Sequence, residues 1–216
     1  MTNIYTLLVL LYATLPPLSL FYTLKLIYHD NNKYGWHLHY LFKYLATLSF
    51  LPILFLKDVN LGLIPKSNYS LFFLVLTFVL VFLGLKRAIR RNVLFFYNAG
   101  VFAGFMEEFL YRGVIFGLVD ALTKNVWVAL GVSSFFFGVW HLKNYYWSGK
   151  HIWIQFLYTF LFYGPLFSLM RIYTGDLYLA ILFHYITDAT VALAPDWMRG
   201  WLVQGGKTKE YKDNYL

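Results

Sequence analysis

Long apolar blocks occupy most of the chain, and short polar or charged segments separate them. Such blocks predict membrane-crossing helices, because about 20 apolar residues are needed to span the hydrocarbon core of a bilayer. The blocks of suitable length are 4–28, 38–56, 69–85, 93–122, 126–142, 152–173 and 177–194. We therefore predict an all-α fold, a polytopic transmembrane helical bundle of about seven spans, with six to eight as the accepted range.

Two of these blocks have individual features. The first charged residue is Lys25, so the N-terminal block lacks the basic segment of a cleavable signal peptide and is predicted to be a retained span. The uncharged core of the fifth block runs only from Val126 to Trp140. A core this short must thin the bilayer, take length from its flanks or lie inside the bundle.

The composition supports a membrane protein. Hydrophobic residues make up 60% of the 216 positions and charged residues only 13%, whereas a soluble domain has about 25% charged residues. A soluble domain and a disordered chain are therefore excluded. The chain has no cysteine, which excludes disulfides, iron–sulfur clusters, thiolate zinc sites and a cysteine nucleophile.

The net charge of +8 does not indicate nucleic-acid binding, because the basic residues lie in the connections between apolar blocks. If the connections alternate between two sides, the second side receives only Lys57, Lys66, Lys124 and Arg171. The first side receives Lys25, Lys33, Lys43, Lys86, Arg87, Arg90, Arg91, Lys143, Lys150, Arg199, Lys207, Lys209 and Lys212. The first side is then cytoplasmic, with the N-terminus outside and the C-terminus inside.

A few ionisable residues lie inside predicted spans, where a charge costs about 2.5 to 3.5 kcal/mol at a helix centre. They are Glu107, Glu108 and Arg112 in the fourth span and Asp188 in the seventh, joined by His141 and His184. Residues retained at such a cost predict a functional site.

Helix geometry separates the two glutamates, because neighbouring residues point about 100° apart. Glu108 can reach Arg112 four residues later, and such a pair also has a purely structural interpretation as a packing contact. Glu107 shares its face with Tyr111 and has no cation within its own helix. It is therefore available to a group on another helix, as a general base would be.

The residues themselves leave two kinds of chemistry open. Two histidines, a glutamate and an aspartate on three helices can hold and activate a water. The same four side chains, Glu107, His141, His184 and Asp188, can also bind zinc or another divalent metal. The His-Glu-x-x-His metal motif and the Gly-x-Ser-x-Gly elbow are both absent from the sequence.

Three motifs in the second half of the chain resemble those of the CPBP intramembrane proteases, also called the Abi or type II CAAX prenyl endopeptidase family. They are Glu107-Glu108-x-x-x-Arg112, Phe137-x-x-x-His141 and His184-x-x-x-Asp188. The resemblance covers about 99–192 and includes the lead-in 173–177. It implies N-terminal spans without signature at 1–92, a protease core at 93–203 and a polar tail at 204–216.

The resemblance implies an intramembrane endopeptidase in which Glu107 and His141 activate water. His184 and Asp188 stabilise the oxyanion, and Glu108 and Arg112 act as supports. The metal-independent glutamate mechanism is favoured over a metalloprotease, so no cofactor is predicted. Asp188 departs from the family's usual asparagine, and an ionised aspartate cannot donate a hydrogen bond. It is therefore protonated, orients His184, or serves as a fourth metal ligand.

The family also implies partners and a location. The expected partners are membrane lipid and a peptide or lipidated-protein substrate cut near its C- or N-terminus. The alternative is a bacteriocin immunity or peptide-binding membrane protein of the same family. A coupled transporter is disfavoured because the chain lacks two matching halves with broken helices. The predicted location is a prokaryotic plasma membrane.

Depth raises a difficulty for this site. An unbroken helix from Arg91 would place Glu107 about 24 Å into the membrane at 1.5 Å per residue, whereas His141 lies near the cytoplasmic end of its span. We therefore predict a helix break at 98–100, with 86–97 lying along the membrane interface. Such a break implies a water-filled cavity that opens to the cytoplasm.

Overall fold

The computed structural model describes residues 2–32, 34–49, 51–91, 94–189 and 193. All regular structure in these residues is helical, and they contain no strand. The main helices are α1 (Thr2–Tyr28), α2 (Gly35–Leu48), α3 (Asn68–Arg90), α4 (94–123), α5 (Val126–His141), α6 (Ile152–Thr174) and α7 (Tyr178–Asp188). Each predicted span overlaps one of them, which confirms the all-α class. The predicted tail at 204–216 lies outside the described residues.

Four helices in the described part of the chain are long and apolar enough to cross a membrane. They are Ile4–Tyr28, Asn68–Arg90, Val126–Asn144 and Ile152–Thr174. Helices α2 and α7 are shorter, at 14 and 11 residues, and α4 carries the charged motif. The protein is therefore an integral membrane protein. The number of seven spans and the orientation of the termini stay predictions.

The second predicted span, 38–56, is divided in the structure. Helix α2 ends at Leu48, and a separate 3₁₀ helix covers Leu51–Phe55. Pro52 lies in that 3₁₀ helix, lacks a backbone N–H and disfavours the α conformation in the residue before it. An α-helix running through this point would therefore lack one backbone hydrogen bond.

The fifth span takes length from its C-terminal flank. After His141 the helix continues as a 3₁₀ turn, Leu142–Asn144. The apolar segment Val126–Asn144 is then 19 residues long, close to what a bilayer requires. The residues after His141 thus belong to the helical bundle, although the sequence assigned them to a connection.

The predicted helix break at 98–100 is wrong. Helix α4 is α-helical from Leu94 to Glu108 without interruption. Gly100 instead permits close packing, because a Cβ atom there would lie 2.6 Å from Cα of Ala189 beside α7. The segment 86–97 is divided between two helices, since α3 ends at Arg90 and α4 begins at Leu94. Its position along the membrane interface stays a prediction.

Helices α4 and α6 each contain a π-helical segment, Phe109–Ile115 and Thr159–Tyr163. These segments are connected through Arg112, whose Nη2 donates to the carbonyl oxygens of Tyr163 at 3.3 Å and Gly164 at 3.1 Å. π-Helical turns often mark functional sites. Here they lie directly beside the charged residues of α4.

Two tyrosines fix α7 against α3 and α4. The hydroxyl of Tyr97 donates to the carbonyl of Val81 at 2.7 Å, and that of Tyr185 donates to Leu80 at 2.9 Å. The two hydroxyl oxygens lie 2.8 Å apart. Because Tyr185 directly follows His184, these contacts also fix the position of that histidine relative to α4.

The alternation of charges predicted that Arg171 is a surface cation of the outer connections, and this prediction is wrong. It lies in α6 with 3% of its surface exposed. Its guanidinium is 4.5 Å from the ring of Phe116 and donates to the carbonyl oxygens of Asn60 and Leu61. The arginine therefore binds the connection between α2 and α3 to the bundle, which is a long-range contact that charge counting does not reveal.

Candidate active site

Three helices bring the predicted reactive side chains together. Glu107 lies near the end of the first α-helical part of α4, His141 is the last residue of α5, and His184 lies within α7. The Oε2 atom of Glu107 is 3.9 Å from Nε2 of His141 and 3.9 Å from Nε2 of His184. Glu107 and His184 are only 8% and 3% exposed. The three groups therefore share one buried compartment.

The Oε2 atom of Glu107 is buried and has no hydrogen-bond partner in the part of the chain that the structure describes. A separation of 3.9 Å from each imidazole is too long for a direct hydrogen bond. A water about 2.8 Å from Oε2 and from the facing Nε2 atom can bridge a gap of this length. The arrangement thus has the spacing of a water site between a carboxylate and two imidazoles.

The hydrogen bond of His141 sets the tautomer of its ring. Its Nδ1 lies 2.8 Å from the carbonyl oxygen of Phe137. A carbonyl only accepts hydrogen bonds, so Nδ1 carries the proton and donates it. In the neutral ring Nε2 then has a free lone pair directed at the Glu107 compartment, where it can accept a proton.

His184 is surrounded by carboxylates. Its Nδ1 donates to Oε1 of Glu108 at 2.7 Å, and its Nε2 lies 3.5 Å from Oδ2 of Asp188. The ring stacks on Phe167, with centroids 5.1 Å apart and planes inclined by 20°. These contacts hold the ring so that Nε2 is directed at both Glu107 and Asp188.

Asp188 lies at the rim of the compartment. Its side chain is 44% exposed, in contrast to the 4% of His184. Oδ1 accepts a hydrogen bond from the hydroxyl of Thr187 at 3.2 Å. The carboxylate is therefore close to the imidazole of His184 and is partly open to the surroundings.

Glu108 and Arg112 form an ion pair within α4, as their spacing indicates. Nη1 of Arg112 lies 3.2 Å from Oε1 of Glu108, and both side chains are completely buried. The guanidinium also lies 4.0 Å from the ring of Phe137 and 5.3 Å from that of Phe167. Since Glu108 also binds His184, the pair connects α4 to α5, α6 and α7.

Sequence reasoning missed Lys143, which it assigned to a cytoplasmic connection. The ammonium group is 4.0 Å from Oε1 of Glu107, and the residue is 8% exposed. The only signal in the sequence is its position two residues after His141. Whether the chain leaves the bundle at that point depends on the 3₁₀ turn, which the sequence pattern does not specify.

The reactive side chains are spaced more widely than the ligands of a tetrahedral zinc centre. Within the described residues, no group of three or more His, Asp and Glu side chains has the spacing to hold a metal ion. In a tetrahedral site, zinc ligands at about 2.0 to 2.2 Å from the metal lie about 3.3 to 3.6 Å from each other, closer than the 3.9 Å found here. The ammonium of Lys143 would also repel a cation. Metal independence stays a prediction.

Part of the chain matches a known protein family. Residues 89–190 match a family model described as Type II CAAX prenyl endopeptidase Rce1-like. The matched segment runs from the end of α3 to just after α7 and contains all three motifs. No curated protein and no solved structure matches the chain.

Proposed function

We propose that the protein hydrolyses a peptide bond with a water activated by Glu107. The match of residues 89–190 to the Rce1-like type II CAAX prenyl endopeptidase family supports this proposal. The family implies a protease acting on membrane-associated peptides. The observation that carries the finer proposal is the position of Glu107 Oε2, which lies 3.9 Å from Nε2 of both His141 and His184.

The proposed reaction begins with the water between these groups. Glu107, with His141, takes a proton from the water as its oxygen attacks the carbonyl carbon of the scissile amide. The carbonyl oxygen becomes an oxyanion and accepts a hydrogen bond from Nε2–H of His184. His184 acts here as the doubly protonated imidazolium, because each of its ring nitrogens faces a carboxylate and both must carry a proton to donate. Glu107 then returns the proton to the amide nitrogen, the C–N bond breaks, and the products are a carboxylic acid and an amine.

The contacts of Asp188 support one of its three proposed roles. Its Oδ2 lies 3.5 Å from Nε2 of His184, and its Oδ1 accepts from Thr187. An ionised carboxylate in this position attracts the N–H of His184 and cannot itself donate to the oxyanion. We therefore propose that Asp188 orients His184 and that the imidazole is the donor.

The substrate proposed is a membrane-associated or lipidated peptide that is cut near one terminus. The reactive groups are buried among apolar helices, and residues on the outer faces of α1 and α3 such as Leu7, Leu18, Phe72 and Phe82 are exposed for contact with lipid. A substrate carrying a lipid chain would approach through the same medium. A cytoplasmic opening and a prokaryotic membrane stay predictions.

Purified protein in lipid vesicles is expected to cleave a farnesylated peptide with a C-terminal CAAX sequence and to release its last residues. Mass spectrometry of the products identifies the cleaved bond, and the unprenylated peptide is the matched control.

Because no step requires a metal, treatment with a chelator should leave the rate unchanged. Activity that disappears with the chelator and returns with zinc would refute the glutamate mechanism. Peptide binding without any cleavage would support the immunity or binding alternative.

A further inference from the structure

Lys143 lies where its charge bears directly on Glu107. It belongs to the 3₁₀ turn Leu142–Asn144, in which residues three apart are eclipsed. Its ammonium lies over the ring of Trp140 in the last turn of α5, 3.9 Å from the ring centroid. Nζ is also 4.0 Å from Oε1 of Glu107. A lysine that is 8% exposed is thus held in place between an indole ring and a carboxylate.

The two oxygens of the Glu107 carboxylate face different neighbours. Oε2 faces the two imidazoles, each 3.9 Å away, whereas Oε1 faces the ammonium of Lys143 at 4.0 Å. A carboxylate with identical surroundings on both oxygens could present either one to a water. The asymmetric placement of the cation instead favours one orientation, with Oε2 directed at the histidines.

The other cations near Glu107 have different surroundings. Arg112 is bound by Glu108 and by two backbone carbonyl groups of α6. Lys43 of α2 interacts electrostatically with Glu107 and repels Lys143, and its ammonium also lies 5.2 Å from the ring of Phe102. Lys143 forms an ion pair with Glu107, with Nζ 4.0 Å from Oε1.

We propose that Lys143 is a positioning residue for Glu107: its ammonium binds Oε1 and stabilises the buried negative charge, and so keeps Oε2 directed at the reacting water. This inference rests on the proposed peptidase function. Lys143 acts through Glu107 and not on the substrate. Its loss should therefore lower kcat, because a misplaced base costs about 10- to 100-fold in rate, and should leave KM nearly unchanged.

The test measures kcat and KM for the farnesylated peptide with Lys143→Met, Lys143→Arg and Lys143→Ala in vesicles. Lys57→Met, which removes an exposed lysine from a connection, is the matched control. We expect kcat to fall about 10- to 100-fold for Lys143→Met and to recover in part for Lys143→Arg. Added propylammonium should restore part of the activity of Lys143→Ala, because the small cation can occupy the position of the ammonium.

The outcomes separate this inference from the peptidase proposal. If the wild-type protein cleaves no peptide, the proposed function fails. If the wild type cleaves and Lys143→Met has an unchanged kcat, only the positioning role is overturned. A loss of activity that neither arginine nor propylammonium relieves would show a packing role and would also overturn it. The propylammonium arm decides the question even if Lys143→Met does not fold.

Discussion

Glu107→Gln is expected to lower kcat for peptide cleavage by about 1,000-fold, within the range of 10²- to 10⁴-fold that a general base contributes. Glutamine has nearly the same shape as glutamate but cannot accept a proton from the water. The folded structure should be retained, because Oε2 of Glu107 makes no hydrogen bond within the described residues. Single-turnover cleavage of a lipidated peptide in vesicles measures the effect.

Asp58→Asn is the matched control for this experiment, because Asp58 is an exposed carboxylate in the connection after α2. The control should cleave at the wild-type rate. Thermal unfolding of each variant shows whether its fold is intact. A folded Glu107→Gln variant that cleaves as fast as the wild type would remove Glu107 from the reaction.

Arg112→Met is expected to lower the free energy of unfolding by about 3 to 5 kcal/mol, the usual cost of removing one partner from a buried ion pair. The guanidinium pairs with Glu108 and donates to the carbonyl oxygens of Tyr163 and Gly164. Its removal leaves a fully buried carboxylate and two carbonyl groups without this donor. Denaturant unfolding of the purified protein measures the loss.

A second substitution distinguishes charge from packing in this effect. The double variant Glu108→Gln/Arg112→Met also removes the buried carboxylate that has lost its arginine partner, and should recover part of the lost stability. Arg87→Met, at the exposed end of α3, is the control and should be nearly neutral. The double variant could instead be less stable than Arg112→Met, with the two losses in unfolding free energy adding independently. In that case the broken ion pair would not be the cause of the instability of Arg112→Met.

The apolar pattern predicted the helices well, because their positions depend on local hydrophobicity. The geometry of an α-helix also predicted the different partners of Glu107 and Glu108, because neighbouring residues point about 100° apart. The π-helical segments of α4 and α6 were not predicted. Such segments depend on contacts between helices and leave no periodic signal.

The predictions that the structure overturns depend on contacts between residues far apart in sequence. The break at 98–100 was inferred from a depth estimate that took the helix as perpendicular to the membrane and His141 as superficial. In the structure the 3₁₀ turn after α5 places Lys143 inside the bundle, and Gly100 is required for the approach of Ala189. Arg171 was also wrongly assigned to the surface. The carbonyl groups it binds lie about 110 residues away in sequence, so the pattern around Arg171 does not reveal them.

Glu107 and His141 are proposed to act on one and the same water, and a double-mutant cycle measures whether they do. The single-turnover rate is measured for Glu107→Gln, His141→Ala and the double variant, all in the same vesicles. Residues that act as a unit are strongly non-additive, so the double variant should be no slower than the slower single variant. If the rate losses of the two single variants multiply in the double variant, the two residues act independently and do not share one water.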